Sequence, residues 1–210
     1  YDVIRIDHFI GIVKYYTIPA DMPDARQGSY EQGPGQKLLD VINEAIGDKK
    51  IIAEDLGVSL PEVDVILREN NYPSMKVLEF AFDSRDSGCA NDYLPHNYPE
   101  NSVAYTGTHD NETIAGWWKS ITVKERKLAR DYLCDNWTPD KDLYKCFISL
   151  VMRSSAKLCV IPMQDYMGLD NSCRMNQPST VGKNWKWRVN TRQLSLKLQK
   201  EIQELSLIHI

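Results

Sequence analysis

The sequence has no apolar run approaching the roughly 18 residues that a membrane-spanning helix requires, so insertion into a bilayer is not expected. It has no Lys/Arg-rich cluster either. Its 25 basic residues are outnumbered by 29 acidic ones, for a formal net charge of −4, whereas nucleic-acid binding needs a concentrated basic footprint. A neutral or small substrate fits better. The five cysteines (Cys89, Cys134, Cys146, Cys159 and Cys173) include no C-x-x-C pair. That argues against a zinc site, and the odd count suits free thiols in a reducing, cytoplasmic setting. There is no internal repeat, low-complexity linker or shift in composition to mark a second domain. An initiator Met is also missing, because the chain opens at Tyr1 inside a strand-like run, Tyr1-Asp-Val-Ile-Arg-Ile-Asp-His-Phe9. We read this start as a truncation, with any targeting signal outside the sequence.

What is present is the composition of an ordinary globular protein, 42% apolar and 26% charged over 210 residues, enough to bury one sizeable core. Short β-branched runs alternate with longer helical patterns, the signature of βα units and a parallel sheet. Strands are expected near Val3–Ile6, Lys50–Ala53, Met75–Phe80, Val103–Thr106 and Leu158–Pro162. One helix is expected over Gln36–Ile46, with Leu38, Leu39, Ile42, Ala45 and Ile46 on one face and Gly47 as its stop. Another starts at Ser59, which with Pro61 and Glu62 forms a capping-box arrangement. Further helices are expected at Thr113–Lys119, Lys124–Cys134, Lys141–Ser154 and Thr191–Glu204. The fold class is therefore α/β. Five strands are too few to close a (β/α)8 barrel of about 250 residues, and the chain reads as the C-terminal part, about five strands, of such a TIM barrel. The connection over residues 11–35 is long where about 2–6 residues is usual, and it carries Tyr15, Tyr16 and Tyr30, candidates for stacking on sugar rings.

Three strand runs finish in an acidic residue: Arg5-Ile-Asp7, Ile51-Ile-Ala-Glu54 and Tyr105-Thr-Gly-Thr-His-Asp110. In a (β/α)8 barrel the C-terminal strand ends converge on the active site, which gives this placement its weight. Each acid also has a plainer explanation: Asp7 as a structural partner of Arg5, Glu54 and Asp55 as a solvated strand end, Asp110 and Asn111 as helix caps. Their surroundings favour chemistry. Residues two apart on a strand share a face, so the Arg5 cation beside Asp7 keeps that carboxylate ionised, as a nucleophile requires. Glu54 follows an apolar approach that favours a proton donor. A retaining glycosidase mechanism needs this asymmetry between two carboxylates about 5–5.5 Å apart, and a third can stabilise the oxocarbenium-like charge. His8 and His109, each beside a proposed catalytic acid, are candidate donors to sugar hydroxyls.

Several blocks together resemble a known family. They are Arg5-Ile-Asp-His-Phe9, Ile18-Pro-Ala20, Gly33-Pro-Gly35, Ala53-Glu-Asp-Leu-Gly57, Tyr93-Leu-Pro-His96, Thr106-Gly-Thr-His-Asp-Asn111 with Gly116-Trp-Trp118, Arg174-Met-Asn176 with Pro178, and Asn184-Trp-Lys-Trp-Arg188. The pattern, from about residue 2 to 190, is similar to the amylomaltases, or 4-α-glucanotransferases, of glycoside hydrolase family 77, relatives of the α-amylases. The resemblance implies Asp7 as nucleophile, Glu54 as general acid/base and Asp110 as transition-state stabiliser, with Arg5, His8 and His109 in support and Asn176 contacting sugar. It implies α-1,4-glucans and maltooligosaccharides as substrates, glucose as an acceptor, and neither a metal nor an organic cofactor. An α-amylase-like hydrolase would use the same carboxylates, and a glucan-binding protein without activity is the rival from another class. The departures are Ile10 where the family usually has Arg, Tyr16 and Tyr30 where Trp is common, and Ser179 in place of Gly. They bear on glucan length preference and leave the carboxylates untouched. Trp117, Trp118, Trp185 and Trp187 read as packing residues, with Tyr15 and Tyr16 as the sugar platform. Residues 1–204 are taken as the partial catalytic barrel, expected to be poorly soluble and inactive alone because its sheet edges are open. Residues 205–210 match nothing in the family pattern and are expected to be a non-native tail.

Overall fold

In the computed structural model, which describes residues 1–57, 60–83 and 92–206, the β-branched runs become strands with parallel neighbours. The chain divides into two units, Tyr1–Met75 and Lys76–Ile210, with the division falling inside a strand. The first unit runs β1 (Val3–Ile6), α1 (Ile10–Val13), β2 (Lys14–Thr17), β3 (Ser29–Gln32), α2 (Gln36–Ile46), β4 (Lys50–Ala53) and α3 (Pro61–Glu69). Strands β1 and β4 pair in parallel, Val3 opposite Lys50 through Ile6 opposite Ala53. The core of this unit gathers Phe9, Leu39, Ile51, Ala53, Val63 and Leu67.

Helix α2 has the expected bounds and ends at Gly47, whose φ of 63° is a conformation that favours glycine. Its buried face is narrower than expected, however. Leu39 is fully buried and Ile42 and Ile46 pack beside it, while Leu38 and Ala45 are exposed. The three inward residues follow a spacing of three and four, and the two flanking ones fall off that stripe. Helix α3 begins at Pro61 after Leu60, which makes no side-chain cap bond; the Ser59 cap lies outside the described residues. The connection expected to be a long loop folds into α1 and an antiparallel hairpin, β2 with β3, pairing Tyr16 with Tyr30.

Strand β5 (Ser74–Val77) stops short of the expected Phe80, and Leu78–Phe82 forms a 3-10 turn. Leu78, Ala81 and Phe82 are buried there, so the run is as apolar as a strand without extending as one. The sheet order is β5-β6-β7, and in the second unit β6 (Ser102–Tyr105) and β7 (Leu158–Val160) are parallel. Its helices are α4 (Ile114–Ser120), α5 (Val123–Leu133), α6 (Leu143–Met152), α7 (Met163–Tyr166) and α8 (Leu196–Ser206). Helix α5 opens on a capping box between Thr122 and Glu125. The core packs Leu78, Phe82, Trp117, Trp118, Phe147 and Val151, with the Trp117 and Phe147 rings edge to face at 5.4 Å, so Trp117 and Trp118 are packing residues as expected.

The helix expected over Thr191–Glu204 is two elements, a 3-10 turn at Thr191–Gln193 capped by Asn190 and then α8. Helix α8 continues through Leu205 and Ser206, the first two residues of the suspected tail, and residues 207–210 lie outside the description. Ser179, where the resembled family has Gly, sits at φ 63°. A side chain in that left-handed region costs roughly 1–2 kcal/mol. Cys134, Cys146, Cys159 and Cys173 are free thiols, and Cys89 is outside the described residues. No described helix is long and apolar enough to cross a membrane.

Candidate active site

In the first unit the acidic residues stand one position past the C-terminal ends of adjacent parallel strands. Extending the β1–β4 register by one residue sets Asp7 opposite Glu54. Neighbouring strands lie about 4.7–4.9 Å apart, so the two side chains spring from adjacent backbone positions. The backbone locks this arrangement. Glu54 N donates to Ile6 O and Phe9 N donates to Glu54 O, each at 2.9 Å.

Arg5 Nη1 donates to Asp7 Oδ1 at 2.5 Å, with the Asp7 side chain 59% exposed and that of Arg5 26%. Arg5 is itself braced by its Nε, which donates to the Met75 sulfur at 3.4 Å. The shared face expected from strand alternation is therefore present. Around Glu54 the setting differs from the one its apolar approach suggested. Ile51, Ile52 and Ala53 are buried, yet the carboxylate emerges half-buried and takes a backbone donor on each oxygen: His8 N on Oε2 at 2.7 Å and Leu56 N on Oε1 at 2.9 Å. His8 has φ 51°, a conformation that costs a non-glycine residue of order 1 kcal/mol. That strain accompanies an N–H aimed at the carboxylate. Asp55 is not a solvated strand end, since its Oδ1 accepts from Met75 N at 2.8 Å. Of the tyrosines, Tyr16 turns its ring edge-on to Tyr30 at 5.0 Å and donates its hydroxyl to Ala25 O at 2.9 Å. Tyr15 leaves β2 on the opposite face and is 43% exposed.

In the second unit Asp110 follows β6 on the segment 106–111. Asn176 Nδ2 donates to Asp110 Oδ1 at 2.5 Å, His109 Nε2 lies 3.4 Å from Asp110 Oδ2, and Arg174 Nη2 donates to the Asp110 carbonyl. Asn176 N in turn donates to His109 O at 3.0 Å. The sequence singled out Asp110, His109 and Asn176, and the fold brings them together. It gave Arg174 no role, because a cation 64 residues away has no local signal. Trp185, expected as packing, is half exposed at φ 65°, and its ring lies 5.1 Å from that of His109. A left-handed backbone turns that ring out of the core and onto the site.

The helix-cap explanation of Asp110 does not hold. Thr113 caps α4, its hydroxyl accepting from Gly116 N at 3.1 Å, while Asn111 Oδ1 accepts from Thr108 N and Oγ1. Thr113→Ala is therefore expected to lower stability by about 1 kcal/mol in a denaturant titration. Asp110→Ala should stay within about 0.5 kcal/mol of the parent; the opposite order would restore the cap reading.

Beneath this segment lie two buried acids that the sequence reading passed over, Glu79 and Asp165. Burial pushes the Asp165 carboxyl up to about 6, even though Thr106 Oγ1 and Ile114 N donate to it. A cavity of about 160 Å³ opens nearby, lined by Thr108, His109, Glu112, Asp165 and Arg174 among others. No group of three or more His, Cys, Asp or Glu among the described residues is arranged to hold a metal ion.

The fold is α/β with acidic residues just past the ends of paired parallel strands, and the comparisons with known proteins are specific. A family model described as 4-alpha-glucanotransferase matches residues 1–195. The chain belongs to the 4-alpha-glucanotransferase family, glycoside hydrolase family 77. It is 41% identical over 200 residues to a 4-alpha-glucanotransferase of Thermus thermophilus, covering 93% of this chain and 39% of the relative. It is 40% identical over 189 residues to the chloroplastic/amyloplastic 4-alpha-glucanotransferase of Solanum tuberosum, covering 90% and 32%. Among solved structures, an amylomaltase from Streptococcus agalactiae in complex with acarbose superposes with a TM-score of 0.91 at 35% identity, over 100% of this chain and 41% of the other. The chain thus spans about two fifths or less of the length of these relatives.

Proposed function

We propose that the protein carrying this chain is a 4-α-glucanotransferase. It cleaves an α-1,4-glucosidic bond, holds the glucan as an ester on Asp7 and passes it to the 4-hydroxyl of another glucan or of glucose. The observation that carries this reading is the placement of Asp7 and Glu54 one residue past the ends of the paired strands β1 and β4, with the His8 N–H donated to the Glu54 carboxylate. Asp7 attacks the anomeric carbon, and Arg5 holds its carboxylate in place. Glu54 protonates the departing oxygen and then takes the proton of the acceptor hydroxyl, so one group serves both half-reactions. Asp110 stabilises the charge that develops on the sugar, with His109 and Asn176 beside it and His8, Tyr15 and Tyr16 as further sugar contacts. This chemistry moves only protons and a glycosyl group and calls for no metal or organic cofactor. Architecturally, we take the chain as the C-terminal part of a (β/α)8 barrel, whose remaining strands belong to the rest of the protein. Its free thiols suit the cytoplasm, and the potato relative's name extends that reducing setting to plastids.

Maltotriose given to the full-length protein tests the reading. Glucose together with maltotetraose and longer maltodextrins is expected. Glucose and maltose with no longer product would identify a hydrolase instead, and glucan binding without turnover would identify a binding protein.

A further inference from the structure

Glu79, on the 3-10 turn Leu78–Phe82, is only 8% exposed, and its backbone N–H donates to Thr106 O at 3.3 Å. Its carboxyl lies directly under the segment 106–111: a Cβ on Gly107 would stand 2.9 Å from Oε1. Glycine at 107 is what lets the acid approach the backbone so closely. From there a chain of contacts leads to Asp110. The Asn111 side chain lies beside the Glu79 carboxyl, the same Cβ on Gly107 standing 3.0 Å from Asn111 Cβ, and Asn111 Oδ1 accepts from Thr108 N at 2.9 Å and from Thr108 Oγ1 at 2.8 Å. Thr108 Oγ1 in turn accepts from Asp110 N at 3.3 Å. Among the described residues Glu79 Oε1 itself has no hydrogen-bond partner.

The surroundings decide which form of this acid the site tolerates. Burial is the largest influence, followed by the Asp165 and Glu112 carboxylates, and all three drive the group well above the usual carboxylate range. The neighbouring Asn111 side chain and the Arg174 cation offset them only in part. An anion with an oxygen that no donor reaches, facing two other acids, is costly, whereas a neutral carboxylic acid there loses far less. Glu112 is already engaged by Asn171 and Ser120, and Asp165 by Thr106 and Ile114, so neither is available to relieve it.

We propose that Glu79 is a positioning residue for Asp110, a buried acid that fixes the segment 106–111 from beneath through Asn111 and Thr108. The proposal rests on the role given to Asp110 above, and it has a readout of its own.

In the full-length protein, Glu79→Gln, Glu79→Ala, Asn111→Ala and the double alanine variant are compared by amide hydrogen exchange over residues 106–112 and by steady-state kinetics on maltotriose. Gln keeps the shape and neutrality of the acid, so exchange protection should be retained and kcat should stay within about twofold of the parent. Each alanine variant should exchange faster and lose about 10- to 100-fold in kcat with little change in KM, the signature of a displaced catalytic group. The double variant should be no worse than the more impaired single one, because both residues act in one chain of contacts. Parent-like exchange and kcat in Glu79→Ala would overturn the proposal. So would a Gln variant as impaired as the Ala variant, or losses that simply multiply in the double. If Glu79→Ala does not fold, Glu79→Gln and Asn111→Ala still decide. A parent protein that makes no longer maltodextrins would defeat the functional reading, and the exchange comparison would still test the loop.

Discussion

Asp7→Asn is expected to abolish glucan transfer by the full-length protein, lowering kcat by about 10⁴-fold or more, since no covalent intermediate can form without the nucleophile. The substitution keeps the size of the side chain and leaves the β1–β4 pairing untouched. Asp7 is 59% exposed in its side chain, so folding should be unaffected and the loss should be chemical. Changing the leaving group should not help: α-glucosyl fluoride, which departs without a proton, needs the attacking carboxylate as much as a glucan does. Substantial transfer by Asp7→Asn would remove Asp7 from the mechanism.

Glu54→Gln should behave differently. Transfer from maltotriose is expected to fall by about 10³-fold, within the range that a general acid supplies, yet the first half-reaction with α-glucosyl fluoride should recover to within about tenfold of the parent because it needs no protonation. Gln retains one carbonyl oxygen for the His8 or Leu56 N–H but loses an acceptor for the other. A modest loss of stability, about 1 kcal/mol, should accompany the kinetic effect. If Glu54→Gln fails equally on the fluoride and on maltotriose, the group is not the proton donor. Together the two variants separate attack from protonation, which a single loss of activity does not.

Much of the fold near these residues was legible because it is local. Runs such as Ile51-Ile-Ala and Val103-Ala-Tyr have the β-branched character of buried parallel strands, and helix α2 carries its own stop at Gly47. The hairpin of Lys14–Thr17 and Ser29–Gln32 was missed because its residues are mostly exposed on both faces, which leaves no alternation to read. The 3-10 turn at Leu78–Phe82 was mistaken for strand because a short, mostly apolar and buried run looks the same in sequence whichever backbone delivers it. The division at Met75 and Lys76 left no mark in composition, since it falls within a strand.

The sequence by itself determined which acids end strands, that Arg5 shares a face with Asp7, and which family pattern the blocks follow. Each depends on residues close in the chain and on the period of two that any strand imposes. Only the tertiary structure decided that Glu54 is cradled by the His8 and Leu56 amides, that Thr113 and not Asp110 caps α4, and that Arg174, Asn176 and Trp185 gather around the 109–110 step. It also disclosed Glu79 and Asp165 beneath that step. Hydrogen bonds and desolvation depend on which distant segments pack against a group, and a linear string records neither distance nor burial.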